Sequence, residues 1–387
     1  MDTSTDWLAQ LPLEIISMIL SQLSIHSLVS FGATSRNNFR YHILGVKRLH
    51  LAVFNRPLDA HIAFMDRGLS NDSKTSDDLS QVHQIQVVLP GSSTQFDVPL
   101  RDYFEKNSGT KRGKQKYAAL MSDKQFGDLL SVEQTIRAQN EKFSQMVYRY
   151  GASLMELEFL AHDLSNEGAM ALGASCGSKL RHLGLRFQHP HVRDGCLISG
   201  RYWANPAPAS SAWNYLIGIG PGAKEISMSN LESLVLERAG ITPWQLRMLI
   251  KRNRTLEVLK LRTCAAVKPE FVNWLGGMGI PDYEGEIPRQ EGEPAPGASL
   301  KILWLENCNG IYSKNKKFHG KSQDVDSGLD WVRGLVGLQS LSFRECKNID
   351  ANAVQRANEA IWHIPELHAP RIASLSDSLI EVDPEYA

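Results

Sequence analysis

Charge of one sign is what this chain most lacks. Its 42 Lys and Arg residues stand against 42 Asp and Glu residues, so no global field draws it to nucleic acid or to an anionic membrane. Long apolar runs are missing as well. None approaches the ~18 residues needed to span a bilayer, and the opening stretch Met1–Trp7 is acidic, without the basic start and apolar core of a signal peptide. Cysteine is sparse and odd in number, at 5, which argues against a disulfide framework and for a reducing compartment, cytoplasmic and/or nuclear. There is no nucleophile elbow, P-loop or dinucleotide fingerprint. Gly218-Ile219-Gly220-Pro221-Gly222 has glycines without the required spacing and reads as a tight turn. Nothing in the sequence asks for a cofactor.

Leucine, by contrast, is patterned. Six segments fit one template, L-x-x-L-x-L, with Phe allowed at the third place. Three of them extend it to a cysteine at the ninth place: Leu256, Leu259, Leu261, Cys264; Leu300, Leu303, Leu305, Cys308; Leu338, Leu341, Phe343, Cys346. The others are Leu154, Leu157, Phe159; Leu180, Leu183, Leu185; and Leu231, Leu234, Leu236, with His162, Gln188 and Ala239 at the ninth place. This is the leucine-rich-repeat signature. Places four and six alternate with polar neighbours, so a short strand turns its leucines to one side. One such strand cannot bury that side alone, so copies stack as a solenoid around a shared core. A small buried Cys suits the bend at the ninth place, and the cysteine form resembles the cysteine-containing class of these repeats. After each Cys the next apolar residue is Val267, Ile311 or Ile349; where Cys is absent it comes one place sooner, at Ile241 or Leu164.

Helix signals follow several strands. Thr242 is a candidate N-cap with Pro243 in the first turn, and Leu246, Leu249 and Ile250 share one face. Asp350 can cap a helix through Val354 and Ala357; Ser165 or Asn166 can cap one through Met170 and Leu172. The interval from Leu180 to Leu231 is long enough for two units, one of them degenerate. The expected fold is α/β, an irregular solenoid with parallel strands on a concave face and helices outside. It spans residues 151–370, with insertions at 188–226, 276–298 and 311–327, before a tail at 371–387. Residues 46–150 read as a linker with irregular first repeats. Val46, Leu49, Leu51 and Val82, Ile85, Val87 keep the strand spacing there, Lys106–Lys116 is a basic solvated loop, and Tyr117–Tyr150 is helical.

Residues 8–45 follow another pattern. Pro12 can start a helix that places Ile15, Ile16, Ile19, Leu20 and Leu23 on one face, Ser24–Ser27 reads as a turn, and two short helices follow. So small a unit has a poor core of its own, and part of its apolar surface is expected to face a partner. The stretch resembles the F-box motif through Leu11, Pro12, Glu14, Ile15, Ile16, Ile19, Leu20, Leu23, Leu28 and the run Ala33-Thr34-Ser35-Arg36. It departs from the motif at Ser27, where Asp is often found, and at Phe39, where Trp is common. An F-box followed by leucine-rich repeats resembles the F-box/leucine-rich-repeat family.

That resemblance implies a non-catalytic adaptor of a Skp1–cullin–F-box ubiquitin ligase. The F-box docks on a Skp1-like adaptor, and through it a cullin, while the repeats hold a protein substrate destined for ubiquitin-dependent degradation. Carried over residue by residue, Leu11, Pro12, Ile15, Ile16, Ile19 and Leu28 are expected to touch Skp1 or to hold the surface that does. Places three, five and seven of the template point away from the core. Among them Trp304, Ile302, Lys260, Arg262 and Arg344 form the expected substrate anchor, because Trp and Arg dominate interface energies; the three cations would suit a phosphate. The other reading of Trp304 is that an insertion folds over it. His182, His189, His191 and Cys196 crowd together, yet their spacing matches no zinc motif and no metal site is assigned. The second functional reading is a leucine-rich-repeat interaction scaffold with no ubiquitin role.

Overall fold

The computed structural model describes residues 8–52, 123–176, 179–187, 192–193, 196–197, 211–219, 228–278, 294–311, 328–370 and 379–380. The second strand expected around Val82, the basic loop at 106–116 and most of the three insertions lie outside these residues.

The chain starts with three short helices, α1 (Leu13–Leu20), α2 (Ile25–Gly32) and α3 (Arg36–Gly45). Pro12 sets the entry to α1 with its fixed φ. Ser24 caps α2, accepting the Ser27 N–H, and Ser35 caps α3, accepting that of Asn38. The expected turn at Ser24–Ser27 is thus the first turn of α2. Gly45 lets α3 lie against α1, since a Cβ there would stand 2.6 Å from that of Leu20.

Two residues after α3 the chain enters β1 (Arg48–Ala52), the edge of an open sheet. A long helix, α4 (Asp123–Tyr150), then leads to β2 (Glu156–Ala161). The following strands are β3 (His182–Phe187), β6 (Ser233–Glu237), β7 (Val258–Arg262), β8 (Ile302–Glu306), β9 (Ser340–Ser342) and β10 (Glu366–His368). All eight pair in parallel in chain order, and the sheet does not close into a barrel. Between them run α5 (Asn166–Cys176), α6 (Ser211–Leu216), α7 (Pro243–Arg252), α8 (Pro269–Leu275) and α9 (Ala351–Ala357). Ser165, not Asn166, caps α5 by accepting the Gly168 N–H. Thr242 and Gln245 close a full capping box on α7, and Asp350 caps α9.

The register follows the template. Its fourth place forms one row across the sheet: Leu49, Leu157, Leu183, Leu234, Leu259, Leu303, Leu341 and Leu367. These leucines join Leu172, Leu246, Leu249 and Phe271 of the helices in one core. The joints between strands are alike as well. The carbonyl at the second place accepts two N–H groups from the next strand, at Lys47, Met155, Arg181, Glu232, Glu257 and Lys301. At the eighth place Arg238, Thr263, Asn307 and Glu345 all take positive φ, between 48° and 61°. That region costs a non-glycine residue roughly 1–2 kcal/mol. In the first three cases the turned N–H donates to the seventh-place carbonyl of the next segment, at Arg262, Glu306 and Arg344. The ninth-place thiols of Cys264, Cys308 and Cys346 donate back to the carbonyls of Leu236, Leu261 and Leu305 in the strand before. Burial pushes the Cys346 thiol up to about 12 and that of Cys308 well above its ordinary value, so both stay protonated donors.

One expectation needs correcting. The interval from Leu180 to Leu231 adds no strand to the main sheet, because β3 pairs directly with β6. It contributes α6, whose buried Trp213 meets Phe187 edge-on, and a short antiparallel hairpin of β4 (Val192–Arg193) and β5 (Cys196–Leu197).

The helical module is tied to the sheet at α3 and α4. His42 is fully buried, and its Nδ1–H donates to the Phe39 carbonyl, which leaves Nε2 to accept from the Tyr150 hydroxyl at 3.4 Å. The Ser153 hydroxyl lies within 3.0 Å of the carbonyls of Ile43, Val46 and Tyr150. Further along, Asn140 and Gln139 of α4 bond the turn after β2 at Asp163, Ser165 and His162.

Candidate functional site

Two surfaces can hold a partner. The first is on α1. Ile16 and Leu20, one turn apart, enter the core, where Leu28 of α2 joins them. Six of the eight residues of α1 (LEIISMIL) are apolar, more than one buried stripe uses. The remainder faces water: Met18 is 58% exposed and Ile19 48%, with Leu11, Leu13, Ile15 and Leu23 beside them, and Pro12 is exposed too. So Leu11, Pro12, Ile15 and Ile19 stand where a docking partner can reach them. Ile16 and Leu28, expected in the same set, are only 2% and 3% exposed. They hold the helices together and cannot be contact residues, because spacing marks apolar positions without saying which side of a short helix meets its neighbours. Leu13, Met18 and Leu23 complete the exposed face. The surplus of apolar residues in α1 was the sign of the first two, and Leu23 belonged to the apolar face read from the sequence.

The second surface is the outward face of the sheet. Lys260 stands opposite Trp304, and Ile302 opposite Val258, on adjacent strands. The Lys260 ammonium lies 3.7 Å from the centre of the Trp304 ring, a close cation–π contact. The indole N–H donates to the Ser340 hydroxyl at 3.0 Å, and the ring meets His368 edge-on at 6.0 Å. His368 Nε2 donates to Glu366 at 2.9 Å, which leaves Nδ1 to accept from Arg344 at 3.3 Å. Hydrogen bonds from Ser340 and His368 hold the Glu366 carboxyl below its usual range. Trp304, Ile302, Lys260 and Arg344 are therefore brought together, with Trp304 half-buried among neighbouring strands.

Arg262 is different. It is buried, and it pairs with Glu306 at 3.3 Å and Glu345 at 2.9 Å. Glu306, itself 1% exposed, also accepts the Ser342 hydroxyl at 2.8 Å. The expectation that Arg262 offers its charge to a phosphate is thus corrected. Parallel register sets a carboxylate opposite it, and the pair neutralises itself out of water. A second pair of this kind joins Arg186 and the buried Glu237 at 3.4 Å. Sequence reasoning also passed over β10, which supplies His368 and Glu366. Its weak signal was Ile364-x-x-Leu367, the opening of the template without its third leucine.

His182 of the sequence cluster is occupied by Glu158 at 3.0 Å and Ser233 at 2.8 Å; His189 and His191 lie outside the described residues. Among the described residues no group of His, Cys, Asp and Glu is placed to hold a metal ion, and no helix is long and apolar enough to cross a membrane.

The family model that matches is the F-box domain, at residues 8–38. The N-terminal helical module is an F-box domain. The match spans the exposed face of α1 and the buried residues behind it. An F-box domain implies a part in substrate recognition by ubiquitin ligases of the Skp1–cullin–F-box type, through binding of a Skp1-like adaptor, and F-box proteins are generally non-catalytic adaptors. A comparison with curated protein sequences finds no match.

Proposed function

We propose that this chain is a non-catalytic substrate-recognition adaptor of a Skp1–cullin–F-box ubiquitin ligase. The observation that carries the reading is the unburied apolar face of α1 inside the F-box match: Leu11, Pro12, Ile15 and Ile19, with Leu13, Met18 and Leu23. Burying one such side chain is worth about 1.5–3 kcal/mol, so a face of this size supports a stable contact with Skp1, and through it a cullin. Ile16 and Leu28 position that face from behind.

In this reading the eight-stranded sheet is a leucine-rich-repeat solenoid. The in-register leucine row, the repeated two-fold carbonyls, the recurrent positive φ and the thiol bonds between successive strands all support it. Its outward face is the substrate surface, with Trp304, Ile302, Lys260 and Arg344 as the anchor. The protein works in the cytoplasm and/or nucleus and adds no chemistry of its own; it raises the concentration of a bound substrate near the conjugating enzyme.

The test is capture by a purified Skp1-like adaptor. An Ile15→Asp/Ile19→Asp chain should lose at least a hundredfold in affinity while its thermal unfolding stays that of the wild type. No capture by a folded wild-type chain would reject the ligase role and leave a leucine-rich-repeat interaction scaffold.

A further inference from the structure

α7 packs on the leucine side of the sheet, opposite the face that carries Trp304. Its Leu246, Leu249 and Ile250 enter the core. Trp244, Arg247, Met248 and Lys251, three or four places apart, therefore share the side turned away from the core. Trp244, Arg247 and Met248 are half-buried there, while Lys251, Arg252 and Arg254 are exposed. The charge is of one sign. From Ala239 to Leu256 the chain carries Arg247, Lys251, Arg252 and Arg254 and no Asp or Glu. The acids that flank this stretch are engaged by other residues: Glu237 by Arg186 and Glu257 by Lys301. Among the described residues Arg247, Arg252 and Arg254 have no carboxylate within ion-pairing distance, and Lys251 leans over the Trp274 ring of α8 at 5.9 Å. The helix dipole favours Lys251 and Arg252 in the last turn. It gives no reason for Arg247 in mid-helix or for Arg254 beyond the cap at Asn253. Arg247 also has its Nε buried without an acceptor, a cost that a carboxylate on the rest of the guanidinium would offset.

We propose that the outer face of α7 docks an acidic segment of a partner protein, with its carboxylates on Arg247, Lys251 and Arg254 and its apolar side chains on Trp244 and Met248. Charge complementarity sets the sign of the partner. Arg247 and Lys251 stand about 6 Å apart along the helix, so carboxylates one helical turn apart in the partner match them. The uncharged side chains set its class. Trp244 and Met248 pack against the core on one side and leave a low apolar strip between the cations. Hydrocarbon side chains cover such a strip with a gain in free energy; a phosphate backbone, which binds through charge alone, does not. This surface lies on the other side of the sheet from Trp304, and it does not rest on the ligase reading.

The experiment uses the whole 387-residue chain and a fluorescein-labelled synthetic helical peptide with Glu one turn apart and Leu between, read by anisotropy. The wild type should bind it. Lys251→Glu/Arg254→Glu, at two exposed positions, should weaken binding at least tenfold with thermal unfolding unchanged. Lys347→Glu/Arg356→Glu makes the same change in net charge at exposed positions outside α7 and should leave binding unaltered. A peptide with Ser in place of Leu should bind the wild type at least fivefold more weakly. No binding by the wild type, an equal loss in both variants, or indifference to the Ser peptide would overturn the proposal. Single-stranded DNA that binds more tightly than the peptide and shows the same loss in Lys251→Glu/Arg254→Glu would overturn it too, by making the face a nucleic-acid site. So would tighter peptide binding by a Glu284→Gln/Glu286→Gln/Glu291→Gln/Glu293→Gln chain, since the chain's own acids would then hold the face. Skp1 capture by the same proteins reports separately on the ligase reading.

Discussion

The F-box helices and the outward face of the sheet invert one another. The helices leave hydrocarbon in water, at Leu13, Met18 and Ile19, while the sheet takes charge out of water, at Glu158, Glu237, Arg262 and Glu306. An apolar face gains free energy only when a partner covers it, with little demand on the partner's detail beyond shape. A buried ion pair has already lost its water, and its worth depends on geometry held by the neighbouring strands. One surface leaves its apolar side chains uncovered; the other is already organised, its charges and its indole fixed in place by neighbouring strands.

The largest effect should come from breaking the organised side. Arg262→Met leaves the buried Glu306 with only the more distant Arg344 guanidinium, at 4.0 Å, as a cation and should cost about 3 kcal/mol in denaturant unfolding. The double change Arg262→Met/Glu306→Gln should recover part of that loss. If the single change is neutral, the pair is not what orders this face.

Protonation should loosen the joint between the two regions. Burial lowers the His42 pKa from 6.5 to about 4. Between those values the unfolded chain holds more protons than the folded one. Stability should therefore be fully present above pH 6.5 and fall as pH drops towards 4, by about 3 kcal/mol in total. Chemical denaturation across this range checks it, and a His42→Phe chain should lose that part of the slope.

Adjacent isoleucines give the sharpest form of the comparison. Ile16→Ala should cost about 3 kcal/mol, because it empties a core site. Ile15→Ala should change stability by under about 0.5 kcal/mol and show its effect in Skp1 affinity instead. Equal costs in thermal unfolding would mean that α1 has no free face. The smallest effect belongs to the thiols. Cys346→Ala, which removes a donor to the Leu305 carbonyl, should cost about 1 kcal/mol, and Cys346→Ser, which keeps a donor, should cost less in the same unfolding measurement.

Much of this molecule was legible in advance because two of its signals are periodic and local. Strand alternation at Leu259 and Leu261, repeated from Leu157 to Leu341, needed only the pleat to be read. The caps at Thr242 and Asp350 needed only the unsatisfied N–H groups of a helix start. The degenerate stretches were not legible in the same way. β10 offers Leu367 without a full template, and the chain between β3 and β6 has the length of a repeat, yet its described residues form α6 and a hairpin beside the main sheet. Of the candidate site, Trp304 and Lys260 were found from the parity of their positions, whereas Arg262 passed the same parity test and is sequestered.

The sequence by itself determined which residues alternate, where helices start, that an F-box-like module precedes a repeated strand, and that no strong charge or long apolar run marks the chain. These follow from bonding within a few residues. Only the tertiary structure decided which isoleucine of α1 is core and which is surface, that Glu306 neutralises Arg262, and that Leu379 comes back to Glu237. Each of these depends on what a neighbouring element places opposite a side chain, and strand register and helix packing set those distances between residues far apart in the chain.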